Sequence, residues 1–269
     1  MNSYGSFSYV YDTFMDETPY DAWKDYIVSI LKSEKIDDGL ILDLGCGTGT
    51  LTEMLADEGY DMIGVDASFD MLSVANEKLS KLDEDKAAAI MYLCQDMREF
   101  ELYGTVRAVV SVCDCINYLL EEDDIVETFR LVNNYLDKEG LFIFDFNTIY
   151  KYRDVIGDRV IAENREDCSF IWDNYFDEES SVNEYQLTIF VQTSDGSGLY
   201  ERYEEEHYQR GYELSKIKEL LLKAGMEFVE AFDTDILVEE GTKVINADSQ
   251  RITVVAKEKY QEGKLYINE

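Results

Sequence analysis

A chain of 269 residues with 46% hydrophobic and 13% aromatic residues has a globular composition, enough for one large domain or two small ones. Its 58 acidic against 24 basic residues give a net charge of -34, which repels phosphate backbones and anionic membranes and argues against nucleic-acid and membrane partners. No apolar run reaches about eighteen residues and the start lacks a signal-peptide core, while Cys46, Cys94, Cys113, Cys115 and Cys168 show no zinc-type spacing. A soluble, cytoplasmic protein with reduced, packed cysteines and no metal is expected.

In chain order, the segment from Tyr4 to Tyr20 is rich in aromatic residues, among them Tyr9, Tyr11 and Phe14. Pro19 opens a helix whose apolar face carries Trp23, Tyr26, Ile27, Ile30 and Leu31. Leu40 to Leu44 reads as a strand covered on both faces, and it runs into Gly45, Gly47 and Gly49. Alternate glycines let the backbone turn sharply and hold no side chain against a ligand. Thr48 to Ala56 then has helical spacing, with a hydroxyl ahead of Glu53 suiting a helix start.

Tyr60 to Asp66 is a second strand ending in a carboxylate about twenty residues after the first glycine, where an acid can grip a ribose diol. A dinucleotide fingerprint needs glycine at the sixth loop position, which is Thr50 here, so nicotinamide redox chemistry ranks last. Ser68 suits the cap of a helix running to about Leu82, and Lys81 to Lys86 reads as a solvated connection. A third apolar run ends in Asp96-Met97. A fourth, Val106 to Cys113, delivers a loop holding Asp114, Asn117 and Tyr118. Glu121 to Asp124 suit the start of a helix from Ile125 to Leu136, and a fifth strand, Gly140 to Phe146, places Asp145 near its end.

From Ile149 to Arg210 the period changes to two, with alternating runs at Cys168–Phe176, Val182–Gln192 and Leu199–Arg210 and a turn at Asp195 to Gly198. This predicts an antiparallel meander with too few apolar residues for its own core, packed over the mouth of a pocket. It holds the single histidine, His207, and a lone histidine is more often structural. Glu213 to Gly225 is an amphipathic helix, two strands follow at Met226 to Asp233 and Gln250 to Lys257, and Tyr260 to Glu269 reads as a frayed tail.

Asp43-x-Gly45-x-Gly47-x-Gly49, the strand-end Asp66, the Asp96-Met97 pair and the order of the strands resemble the class I S-adenosylmethionine-dependent methyltransferases, strongly from Leu40 to Asn147. The resemblance implies an α/β fold with a doubly wound, mostly parallel seven-stranded sheet in the order 3-2-1-4-5-7-6, carrying an antiparallel β insert. Residues 36–148 and 211–259 would form the methyltransferase core, 1–35 an aromatic lid and helix, and 149–210 a substrate lid. S-adenosyl-L-methionine is the implied cofactor. Asp43, Gly45 and Gly47 would lie by its methionine part, Asp66 on the ribose hydroxyls, and Met71, Asp96 and Met97 around adenine, with Tyr11 and Cys113 completing its site.

Tyr20, Trp23, Asn117, Tyr118, Asp145 and Trp172 are the implied substrate-lining residues; plain packing is an equal reading for Tyr11, Tyr20 and Trp23. Asp114 and His207 are the catalytic candidates, His207 because similar enzymes acting on amino groups of sugars and small amines carry a closely similar Glu-His-Tyr strand. With Pro19 as the single proline, the Asn/Asp-Pro-Pro-Tyr signature of methyltransferases acting on base amino groups is impossible. The expected reaction is in-line methyl transfer to nitrogen or oxygen of a small molecule by a monomer or homodimer. A non-catalytic cofactor-binding module and a protein methyltransferase are the alternatives.

Overall fold

The computed structural model of the chain describes residues 8–193, 197–261 and 264; Tyr4, Asp195 and Gly196 lie outside them. With strands numbered in chain order, β1 (Leu40–Leu44), β2 (Asp61–Asp66), β3 (Ile90–Cys94), β4 (Val106–Ser111) and β5 (Leu136–Asn147) pair in parallel. β11 (Arg251–Lys257) runs antiparallel to β5 and to β10 (Glu227–Asp233). The resulting sheet reads β3-β2-β1-β4-β5-β11-β10, the expected doubly wound order with its crossed final pair.

Both faces of this sheet are covered, which is why its strands read as nearly continuous apolar runs. Leu42, Val109, Phe142 and Phe144 pack toward α6 (Glu122–Tyr135) and α7 (Leu214–Lys223). Their neighbours Ile41, Val110, Leu141 and Ile143 point the other way, into a cluster with α2 (Tyr20–Ser33) and α3 (Thr50–Asp57). Local signals differ in how they are used. Ser68 accepts from the Met71 amide (3.2 Å) and caps α4 (Phe69–Leu79) as its side chain suggests, although the helix stops short of Leu82. The hydroxyl-and-Glu53 start expected for α3 does not form: left-handed Gly49 is the cap residue, and the Thr48 hydroxyl donates to Asp12 instead (2.6 Å). Lys81 to Lys86 is not simply a connection, because a short helix, α5 (Glu84–Ala88), begins within it.

A second sheet holds β6 (Val160–Asn164), β7 (Cys168–Asp177), β8 (Val182–Gln192) and β9 (Tyr200–Arg210) in antiparallel sequence. Three of these strands were legible; β6 is exposed almost throughout, so no alternation marks it. The inner face of this sheet, with Cys168, Tyr185, Leu187 and Ile189, forms its core against Val10 of α1 (Ser8–Phe14). Phe14 meets Phe170 edge-on at 4.9 Å and Arg165 pairs with Asp16 at 2.8 Å. The insert thus completes its core with an amino-terminal helix that the sequence pattern did not reveal. Neither did it reveal α8 (Thr234–Glu240).

Two further expectations need correction. Cys94 is exposed rather than packed. The tail is not frayed at Lys264, whose ammonium is buried against Glu258 (2.8 Å) and donates to the Asn133 carbonyl (2.6 Å). No helix among the described residues is long and apolar enough to cross a membrane.

Candidate active site

The carboxyl ends of the parallel strands open on a cavity of about 390 Å³. The end of β1 and its loop supply Asp43, Gly45 and Gly47, the end of β2 supplies Asp66, and Met71 reaches in from α4. Asp96 and Met97 follow β3, Cys113 follows β4, Tyr11 comes from α1, and Tyr20 and Tyr118 complete the wall. Every residue expected around a cofactor is therefore brought to one cavity.

The glycine loop is tight because of what lies beneath it. A Cβ on Gly49 (φ +79°) would sit 2.1 Å from the Tyr92 hydroxyl, and one on Gly45 (φ +85°) 2.5 Å from Cys115 Sγ. Tyr92 sat unmarked inside an apolar run. Asp66 is fixed by two amides, Gly47 N to Oδ2 and Ser68 N to Oδ1, both 2.8 Å. Each oxygen keeps a second lone pair for a ligand hydroxyl. Burial pushes this carboxyl up, and the Ser68 and Gly47 amides oppose the shift. Asp96 is gripped by Arg98 through Nε (2.9 Å) and Nη2 (2.6 Å), which holds its carboxyl low. On the α1 side, the Thr48 hydroxyl donates to Asp12 (2.6 Å), and Lys78 bonds both Asp12 (3.1 Å) and Thr50 (2.9 Å), tying α1 to the glycine loop.

Asp43 is 2% exposed, and burial pushes its carboxyl up to about 7, with the Thr52 hydrogen bond opposing and Asp66 reinforcing the shift. A carboxyl raised on folding contributes stability that is intact below its unfolded pKa, near 4, and lost as pH rises through about 7. Urea unfolding should therefore show Asp43→Asn gaining on the wild type between pH ~4 and ~8, by at most about 4 kcal/mol. A constant difference across that range would place the ionised acid in a better solvated site.

The loop after β4 is built differently from expectation. Cys113 (φ 67°) and Asp114 (φ 54°) are both left-handed, a costly pair for residues with side chains. Asp145 holds them: Oδ2 accepts from Cys113 N (3.0 Å) and Oδ1 from Asp114 N (2.7 Å). Arg251 then bridges Asp145 (2.9 Å) and Asp114 (2.7 Å), and Gln209 donates to the other Asp114 oxygen (2.6 Å). Asp145, expected at the pocket edge, is wholly buried and occupied by backbone. Asp114, expected to be catalytic, stands behind the wall with both oxygens engaged.

Three more expected substrate-lining residues stand off the cavity. Asn117 donates to the carbonyls of Asn147 (3.0 Å) and Arg210 (2.7 Å) and accepts from Asn147 N (2.8 Å), joining the loop to both sheets. Trp23 lies in the α2 core cluster with Arg251 over its ring at 5.2 Å. Trp172 packs on Tyr185 with the ring centroids 4.5 Å apart and the rings tilted by 35°. His207 is buried as well, with Nδ1 3.2 Å from the Tyr118 hydroxyl and Nε2 3.3 Å from Glu205 Oε2. Tyr185 lies flat on its ring at 4.8 Å and shares a 3.0 Å hydrogen bond with Tyr118. Burial pushes the Cys113 thiol up to about 12, which keeps it protonated beside the Tyr11 hydroxyl (3.8 Å).

The sequence reading missed Arg251, whose signal was a charge opening an otherwise apolar strand, and Glu205, one of three consecutive glutamates that nothing set apart.

Comparison with known proteins bears on the same cavity. The Methyltransferase domain family matches residues 41–140. A Geobacillus sp. (strain WCH70) protein named as a methyltransferase candidate is 36% identical over 256 residues, 95% of this chain and 99% of its own. The crystal structure of an S-adenosylmethionine-dependent methyltransferase from Clostridium acetobutylicum ATCC 824 matches with a TM-score of 0.80 at 27% identity, covering 95% of this chain and 98% of that one. A dTDP-3-amino-3,4,6-trideoxy-alpha-D-glucopyranose N,N-dimethyltransferase from Streptomyces venezuelae is 28% identical over 138 residues, 51% of this chain and 55% of its own. With that identity along nearly its whole length, and with the glycine loop and strand-end acids gathered on one cavity, the chain belongs to the class I S-adenosylmethionine-dependent methyltransferases and takes S-adenosylmethionine as its cofactor.

Proposed function

We propose that this enzyme transfers the methyl group of S-adenosylmethionine to the nitrogen of a small-molecule amine. The observation that carries the choice of nitrogen is the hydrogen-bonded chain from Glu205 through His207 to the hydroxyl of Tyr118, a cavity residue. An amine arrives protonated and must lose that proton before its lone pair can attack. In the tautomer that donates Nε2–H to Glu205, His207 Nδ1 accepts from Tyr118, so a proton leaving the amine passes to the tyrosine oxygen as the tyrosine proton moves to His207. The nitrogen then attacks the methyl carbon in line, the carbon–sulfur bond breaks, and its electron pair stays on sulfur as a thioether. The sulfonium supplies the activation; the protein aligns the pair and excludes water.

On this reading Asp66 binds the ribose hydroxyls, Asp96, Met97 and Met71 surround the adenine, and the glycine loop with Asp43 carries the methionine end. Tyr11, Tyr20 and Cys113 face the methyl group, and α1 with residues 149–210 covers the acceptor. The relative named as an N,N-dimethyltransferase of an amino sugar supports nitrogen as the acceptor.

In a methyl-transfer assay over a panel of small amines, Tyr118→Phe and His207→Ala should each lower kcat by roughly 10²-fold. Their affinity for S-adenosylhomocysteine should remain that of the wild type. Undiminished turnover in both variants would remove the relay from the reaction.

A further inference from the structure

The loop after β4 lines the cavity with Cys113, Cys115, Tyr118 and Leu119, yet much of what holds it comes from the end of the insert. Gln209 Nε2 donates to Asp114 Oδ2 (2.6 Å), the Arg210 carbonyl accepts from Asn117 (2.7 Å), Arg210 Nη1 donates to the Leu120 carbonyl (2.9 Å), and the Tyr212 hydroxyl donates to the Leu119 carbonyl. A shift of the insert would therefore carry this part of the cavity wall with it.

One of these bonds ends on a charge. Asp114 sits between Cys113 and Cys115, both at the cavity, in a left-handed conformation (φ 54°). Its Oδ1 takes Arg251 from the core sheet (2.7 Å) and its Oδ2 takes Gln209 from the insert, so a donor from each sheet sets its direction. The Gln209 amide is itself held. Its Oε1 accepts from the Tyr152 hydroxyl (3.0 Å), whose oxygen accepts from Asn147 Nδ2 (3.1 Å), while Asn147 Oδ1 accepts from Lys151 Nζ (3.0 Å). Every donor in this chain points the same way, from ammonium to carboxylate, so each bond polarises the next. Burial pushes the Tyr152 phenol up and keeps it a donor.

We propose that Gln209 is a positioning residue of the cofactor site: by gripping Asp114 from the insert sheet, it fixes the wall that Cys113 and Cys115 present to bound S-adenosylmethionine. Gln209 is not among the residues lining the cavity, so the insert sets cofactor affinity without touching the cofactor. The proposal rests on the assignment of this cavity to S-adenosylmethionine and is independent of the acceptor.

The test exchanges the donor. Gln209→Leu removes it. Gln209→Glu replaces the amide by a carboxyl that donates to Asp114 only while it holds a proton; once ionised, it sets two carboxylates in contact, which repel. Arg251 on the far oxygen of Asp114 and the Tyr152 hydroxyl are retained in both variants. S-adenosylhomocysteine is titrated calorimetrically into the wild type and each variant at pH ~5 and ~7.5, where the Lys151 ammonium, with its pKa lowered by burial to about 8, stays mainly protonated. Gln209→Leu should bind roughly tenfold more weakly than the wild type at both values. Gln209→Glu should match the wild type at the lower value and fall roughly tenfold behind it at the higher. Lost packing alone has no such pH dependence, and if Gln209→Leu does not fold, the profile of Gln209→Glu decides. Wild-type affinity in Gln209→Leu, or the same ratio of Gln209→Glu to wild type at both values, overturns the proposal and leaves the cofactor assignment standing. A wild type that binds no S-adenosylhomocysteine would instead overturn that assignment.

Discussion

Replacing Arg251 by methionine should destabilise the fold by about 3–5 kcal/mol near neutral pH, read by urea unfolding. The cause is the position of the guanidinium. It is 8% exposed, lies over the Trp23 ring, and compensates two carboxylates, of which Asp145 is wholly buried. Removing it leaves that charge with only the Cys113 and Asp114 amides as partners. Lowering the pH should shrink the loss, because a protonated Asp145 needs no cation. The double variant Arg251→Met with Asp145→Asn should be less damaged than the sum of the two single changes. A loss within about 0.5 kcal/mol of zero would mean that the two left-handed residues after β4 are held by something other than this triad.

Asp66→Ala should weaken cofactor binding by roughly ten- to a hundredfold, the worth of about 1.5–3 kcal/mol for hydrogen bonds to a charged group. Two losses combine in that figure. The proposed ribose contact disappears, and so does the acceptor that ties Gly47 to the end of β2 across 2.8 Å. Asp66→Asn keeps one acceptor oxygen and should fall between the two, whereas equal affinity in all three proteins would move the sugar elsewhere in the cavity.

How much of this was legible beforehand depended on whether one residue's surroundings are set locally. The glycine loop, Asp66 and Asp96-Met97 sit at strand ends in a parallel sheet, so spacing alone brings them to the same edge; all line the cavity. Asp145 and Asn117 also sit at that edge, yet their side chains turn inward to satisfy backbone groups. That choice depends on partners about thirty or more positions away, and on a loop whose left-handed residues no pattern announces. Trp23 shares its helix face with core residues, and helical spacing cannot separate a pocket wall from a sheet contact.

The same distance limit applies to the fold. Strands buried on both faces declare themselves as apolar runs, whereas β6 is exposed and Val10 and Phe14 of α1 gain apolar partners from a sheet more than 150 residues later. His207 lay in a visible alternation, but its proposed role turns on Tyr118, which a different element supplies.

The central claim is that the cavity at the carboxyl edge of the sheet holds the adenosyl cofactor. Isothermal titration of the purified chain with S-adenosylmethionine tests it most directly. The account predicts saturable binding at one site per chain, with a dissociation constant in the range of roughly 1 μM to 1 mM. No heat at any concentration in that range would contradict it.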